Sequence, residues 1–232
     1  MTHSKRFDDY DPRAWLERSG LLCLKHLAYS ASIECFMRLV KIEPDYSMAW
    51  YGLSTAAYSA SGATRNLDLL RQSVAVLKHC LVVDPDNTFA SKFYDAIPNQ
   101  TPLTESDLLS IEASSQLKMP PELAFNTNSF AECLPTIPDA GERMQLIMWL
   151  GTFDNESSTE LLLAGLQDSD AGVVRATLKR LDSKNQDERI PNVLDGMHSS
   201  GSYLNYEPYF SMAARRFGLP FASDGIFPPD GR

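Results

Sequence analysis

Long apolar runs are missing from this sequence, and no stretch reaches the roughly 20 residues that a membrane-spanning helix requires. A membrane partner is therefore not expected. The amino-terminal MTHSKRFDDYDPRAW lacks an apolar stretch after its basic pair, so it does not read as a secretory signal. Basic charge is also in deficit, with 21 Lys and Arg against 30 Asp and Glu and a net charge of −9. A nucleic-acid partner needs a basic face for its phosphates and is not expected either. Cysteine is sparse. Cys23, Cys35, Cys80 and Cys133 show no metal-ligand spacing, and three of them fall inside apolar helical patterns. Reduced, buried thiols in a cytoplasmic protein are the expectation.

The residue patterns of catalysis are absent in the same way. His3, His26, His79 and His198 are scattered, and none sits at His-Glu-x-x-His spacing. His79 and Cys80 are neighbours on one helix, so their side chains diverge by about 100° and do not make a nucleophile–base pair. Asp168-Ser169-Asp170 lacks the glycine and distal glutamate of a calcium loop, which leaves helix capping as its expected role. There is no Gly-rich phosphate loop and no Gly-x-Ser-x-Gly elbow. The expectation is a non-enzyme with no metal and no cofactor.

What is present is an ordinary globular composition, 44% hydrophobic and 22% charged. The charge is unevenly placed. Residues 1–100 hold 11 basic and 11 acidic side chains, whereas residues 101–232 hold 10 and 19 and so the entire excess. Two segments of different character are expected.

The most informative stretch is SIECFMRLVKIEPDYSMAWYGLSTAAY, Ser32–Tyr58. Ile33, Phe36, Leu39 and Val40 follow the i, i+3, i+4 pattern of an amphipathic helix over Ser32–Ile42. Pro44 ends it, because proline cannot continue the hydrogen-bond ladder and turns Glu43 away from helix. A second helix then starts near Ser47 and carries Trp50, Leu53, Ala57 and Tyr58. Val83-Asp84-Pro85-Asp86 echoes Ile42-Glu43-Pro44-Asp45.

This pattern resembles the tetratricopeptide repeat family, whose unit joins a Trp-x-x-Leu-Gly helix to an Ala-x-x-x-Phe helix closed by proline. Trp50 and Leu53 match the first helix, with Ser54 in place of glycine. Ser32, Phe36 and Pro44 match the preceding second helix, and Gly20 stands 24 residues before Pro44. Trp15 is one residue out of register. Pro44 and Pro85 are 41 residues apart, seven more than the family period. The excess is assigned to a polar loop, Ser59–Asn66, with Asn66 capping a helix over Leu67–Val82. Thr88–Ile97 begins a third first-helix that Pro98 ends, as a solvating cap would.

Residues 99–138 read as a connector with one helix, Glu105–Leu117, opened by a Thr104-x-x-Asp107 capping box. From Asp139 helical hairpins resume. Met144, Ile147, Met148 and Leu150 form one apolar face, and Ser157-x-x-Glu160 is expected to cap the next helix, which runs through Leu161–Leu166. Asp168, Asp170, Val173, Val174 and Arg175 resemble the joint of a HEAT repeat, with Gly172 as one extra residue. Further helices are expected from Pro191 and over Tyr209–Phe217, and residues 221–232 as a flexible tail.

The expected fold is all-α, an α-solenoid of antiparallel helical hairpins. It divides into tetratricopeptide-like residues 1–98, the connector, HEAT-like residues 139–220 and the tail. The resemblance implies a concave groove that binds a protein or peptide. Repeat geometry would aim Met48, Tyr51, Thr55 and Tyr58 into it, with Glu17, Leu21 and Leu24 from the first repeat and Phe89 and Lys92 from the cap. Glu17, Leu21, Tyr51 and Thr55 stand where the family's chaperone-tail clamp has Lys and Asn, so that activity does not carry over. Three alternatives stay open: a bacterial accessory protein, such as a secretion chaperone or a toxin-neutralising immunity protein, whose acidic half covers a basic partner; an enzyme with an unrecognised site; and self-association. The last would use Phe89–Tyr94 or the cluster Tyr203, Tyr206, Tyr209 and Phe210.

Overall fold

The computed structural model describes residues 11–97, 129–151, 153, 156–181 and 187–220, which hold eleven α-helices and no strand. The protein is all-α. It divides into two compact units, Met1–Ser129 and Phe130–Arg232. The expected connector helix over Glu105–Leu117 and the expected tail over 221–232 lie outside the described residues. Among the described residues no helix is long and apolar enough to cross a membrane.

The first unit contains α1 (Pro12–Lys25), α2 (Tyr29–Ile42), α3 (Ser47–Thr64), α4 (Leu67–Val83) and α5 (Thr88–Ala96). Short polar side chains set the starts of α1, α4 and α5. Asp11 accepts from the Arg13 N–H ahead of Pro12, Asn66 from Asp68 and Leu69, and Asn87 from Ala90. Each such cap is worth about 1 kcal/mol. Two turns share one hydrogen-bond pattern. The Glu43 and Asp84 N–H groups close onto Leu39 and Cys80, and the Tyr46 and Asn87 N–H groups close onto Glu43 and Asp84. The shared Pro-Asp sequence thus produces the same turn twice.

Both hairpins are tied by a buried serine. Ser32 donates to the Gly20 carbonyl at 2.8 Å, joining α2 to α1, and Ser54 donates to the Ser73 carbonyl at 2.8 Å, joining α3 to α4. Between α1 and α3 lies the ring of Phe36, 1% exposed. A Cβ built on Gly20 would stand 2.8 Å from that ring, and one built on Gly52 would stand 2.3 Å from it. Only glycine on both neighbouring helices leaves room for an aromatic at this depth.

One expectation fails here. The polar stretch after Tyr58 is not a loop, because α3 continues to Thr64 and ends at Arg65 in the left-handed region (φ 56°). Ser61 and Thr64 direct their hydroxyls to the carbonyls of Tyr58 and Ala60, so polarity along this stretch is absorbed by the helix itself. With 18 residues in α3 against 14 in α1, and 17 in α4 against 14 in α2, the seven-residue excess is carried as helix.

The second unit comprises α6 (Ser129–Cys133, begun on the last residue of the first unit), α7 (Ala140–Leu150), α8 (Glu156–Leu166), α9 (Ala171–Arg180), α10 (Arg189–Ser199) and α11 (Tyr209–Arg216). Single 3-10 turns span Leu134–Thr136 and Ser202–Tyr206. Helix α9 is central and packs against α7, α8 and α11. Its start is set by Asp170, which accepts from Gly172 and Val173, as expected of the Asp-Ser-Asp turn. Asp168 instead pairs with Arg143 through both oxygens, at 2.8 and 3.0 Å. Arg143 also donates to the carbonyls of Ile137 and Pro138.

Three expected details differ. On α7 the buried face is Leu146, Ile147 and Leu150, while Met144 is exposed. Ser157 is not a cap but a buried residue of the first turn of α8, and Glu160 pairs with Arg189. Helix α10 starts at Arg189, two residues before Pro191, which still falls in the first turn.

Two predictions follow from this packing. Gly52→Ala should cost about 1–3 kcal/mol through overpacking against Phe36. Adding Phe36→Leu should cost less in that background than alone, and urea denaturation followed by circular dichroism measures the difference. Burial acts to raise the Asp168 pKa, but hydrogen bonds from Arg143 and the Asp170 N–H, with the Arg143 charge, prevail and hold it below the ordinary carboxylate range. That stability is fully present above an unfolded value of about 4 and drains away as pH falls through the folded one. Asp168→Asn should therefore lower stability at pH 7 and flatten the loss below about pH 4 in a pH series of urea midpoints.

Candidate partner-binding face

The nine residues expected to line a groove lie on α1, α3 and α5 of the first unit. Glu17, Leu21 and Leu24 fall on one face of α1 at spacings of four and three. Met48, Tyr51, Thr55 and Tyr58 do the same on α3. Helix α1 packs on α3, and α3 meets α5 through aromatic rings.

The α3–α5 part of the set converges. Tyr51 lies 6.1 Å from Phe89 and 6.1 Å from Phe93, and Tyr58 lies 5.2 Å from Phe93 with the rings edge to face. Such pairs are worth about 0.5–1.5 kcal/mol beyond the area they bury. Tyr51 and Tyr58 thus pack on the next helix and also stay half-exposed, so packing and accessibility coexist. Phe89 is 61% exposed. Met48 sits with its sulfur 3.8 Å from the Asn87 amide nitrogen, and Thr55 donates to the Tyr51 carbonyl.

The other four residues occupy the margins. Leu21 is 53% exposed, Leu24 half-buried and Lys92 exposed. Glu17 is engaged, since its carboxylate accepts the Tyr46 hydroxyl at 2.9 Å. Arg13 stacks 3.6 Å above the Tyr46 ring. Burial pushes the Tyr46 pKa up, the Arg13 hydrogen bond pulls it down, and Glu17 adds to the rise. The phenol therefore stays a neutral donor and bridges the α1 face to the head of α3.

Phe93, Tyr46 and Arg13 were not among the expected site residues. Phe93 had a signal, because it stands four residues after Phe89 on one helix and must share its face. Tyr46 precedes its helix, where spacing rules say nothing of side-chain direction.

Behind this face, the head of α3 is fastened to the following turn. Ser47 donates to Asp84 at 2.9 Å, Asn87 donates to Ser47 at 3.1 Å, and the Cys80 thiol donates to the Ser47 carbonyl at 3.1 Å. His79 turns aside from Cys80 and meets Trp50 edge-on at 4.3 Å. Trp50 in turn donates to the Pro44 carbonyl at 2.7 Å. Burial, helped by Asp84, pushes the Cys80 thiol up to about 11, so it serves as a weak donor and not as a thiolate. Among the described residues no group of three or more His, Cys, Asp or Glu side chains is placed to hold a metal ion.

The face therefore offers rings, a thioether and aliphatic side chains, with a carboxylate at one margin and an ammonium at the other. All four cysteines are free and buried. The native chain should accordingly react slowly with a thiol-specific disulfide reagent and yield four equivalents promptly in guanidinium. Fast release of one equivalent without denaturant would contradict the burial. Compared with protein-family models, with curated proteins and with solved structures, the chain matches none.

Proposed function

We propose that the chain is a non-catalytic protein-interaction module that binds an extended peptide or short helix across α1, α3 and α5. The observation that carries this reading is the row Tyr51, Tyr58, Phe93 and Phe89, which leaves aromatic surface accessible on a face with little net charge. Tyrosine, phenylalanine and methionine give large contact areas for few lost rotamers, and exposed rings gathered on one face are uncommon without a partner.

The architecture behind it is an α-solenoid, tetratricopeptide-like over residues 13–97 and HEAT-like over residues 140–217. Support for the first comes from the twice-made Pro-Asp turn, the serine ties in each hairpin and the Phe36 ring set between Gly20 and Gly52. Support for the second comes from the Asp170 cap and the buried Val173 and Val174. Buried free thiols fit a reducing compartment such as the cytoplasm.

Affinity purification from the native cell with mass spectrometry tests the reading. Phe89→Asp should lose one specific protein that wild type retains, and Tyr51→Ala/Tyr58→Ala should lose the same one, with helical circular dichroism preserved. An unchanged set of co-purifying proteins in both variants would sink it.

A further inference from the structure

The second unit belongs to the half of the chain that holds the whole acidic excess, yet one of its faces is basic. Helices α9 and α11 carry Arg175, Lys179, Arg180, Arg215 and Arg216 and no Asp or Glu. Basic side chains in a last helical turn suit the negative end of the macrodipole, and that accounts for four of the five. It does not account for Arg175 in mid-helix. Nor does it explain the exposed apolar side chains beside them, Leu204 at 67% and Met212 at 44%.

The way these cations are held points further. Arg175 donates to the Asn205 carbonyl at 3.1 Å, and Arg216 donates to the carbonyls of Lys179, at 3.2 Å, and Leu181. Lys179 lies 4.4 Å above the Tyr209 ring. Every one of these partners is neutral, so three cations are fixed in place with their charge undiminished. The acid nearest in sequence to α11, Glu207, accepts the Ser211 hydroxyl at the opposite end of the helix from Arg215 and Arg216. On α11, Met212, Arg215 and Arg216 stand at spacings of three and four, on one exposed stripe. On α9, Arg175 and Lys179 are a turn apart on another.

We propose that this α9–α11 face docks an acidic peptide segment of a partner protein that interleaves carboxylates with apolar residues. Carboxylates meet the fixed guanidinium and ammonium groups, and Leu204, Met212 and the Tyr209 ring take the apolar side chains. Arg, Tyr and Met are the residue types enriched at interface cores. A nucleic acid fits less well. Its phosphates extend beyond so small a patch onto a half-chain with 19 acidic and 10 basic residues, which repels them.

Fluorescence anisotropy on the full chain tests this with a labelled synthetic peptide of Asp, Glu, Leu and Phe. Binding is expected at low salt, weaker at high salt, and lost for the same peptide with Lys in place of its acids. Arg175→Glu/Lys179→Glu should weaken it at least tenfold. Arg175→Gln/Lys179→Gln should weaken it by a smaller factor and serves if the reversal fails to fold. Lys41→Glu, a charge reversal at an exposed position of α2 in the first unit, should leave it unchanged. No binding at low salt, equal binding by a folded double variant, or tighter binding of a single-stranded oligonucleotide would each overturn the proposal.

Discussion

The first unit depends on one ring. Phe36 reaches from α2 to touch both α1 and α3, and it can do so only because Gly20 and Gly52 present bare backbone to it. Full burial of such a side chain contributes about 2–3 kcal/mol, but its placement matters more than that figure. The ring sets how closely α1 and α3 approach. That spacing brings Tyr46, at the head of α3, within reach of Glu17 and Arg13 on α1. The accessible face is thus a consequence of packing on the hidden side of the same helices.

Much of this is legible in the sequence, because it is written in residue types with few alternatives. Proline at 44 and 85 had to end helices, Asn66 and Asp170 were short acceptors ahead of apolar runs, and Phe36 lay on a periodic apolar stripe. The errors share a physical origin. Ser59–Asn66 resembles a loop in sequence because Ser, Gly, Thr and Asn favour turns when the backbone groups they satisfy are otherwise free. Within an existing helix the same hydroxyls turn back onto carbonyls one turn earlier, and the helix runs on to Thr64. Ser157 failed similarly, since a capping pattern one residue inside a helix looks the same as one at its edge.

The site was legible by face and not by contact. The expected repeat geometry put Tyr51, Tyr58 and Phe89 on surfaces that do converge, while period 3.6 fixes direction only along each helix. Spacing puts Phe93 on the face of Phe89 but not between the two tyrosines, since that contact depends on how far α5 sits from α3. Tyr46 escaped for a different reason, standing in a turn whose side-chain direction is set by the hydrogen bonds of Glu43 and Leu39.

Net charge illustrates the same limit from the other side. A total of −9 describes the far field of the chain, and it governs what approaches from a distance. A contact forms within the roughly 8–10 Å over which salt leaves charges visible, and there the local arrangement decides. On α9 and α11, Arg175, Arg216 and Lys179 are bound to carbonyls and a ring, partners that orient a charge without cancelling it. Between α7 and the turn after α8 the reverse holds, because Arg143 is closed bidentately onto Asp168 and presents little to the outside. Arginines on different helices of one unit therefore differ in what they offer a partner, and the difference lies in whether the acceptor is an anion or a neutral dipole.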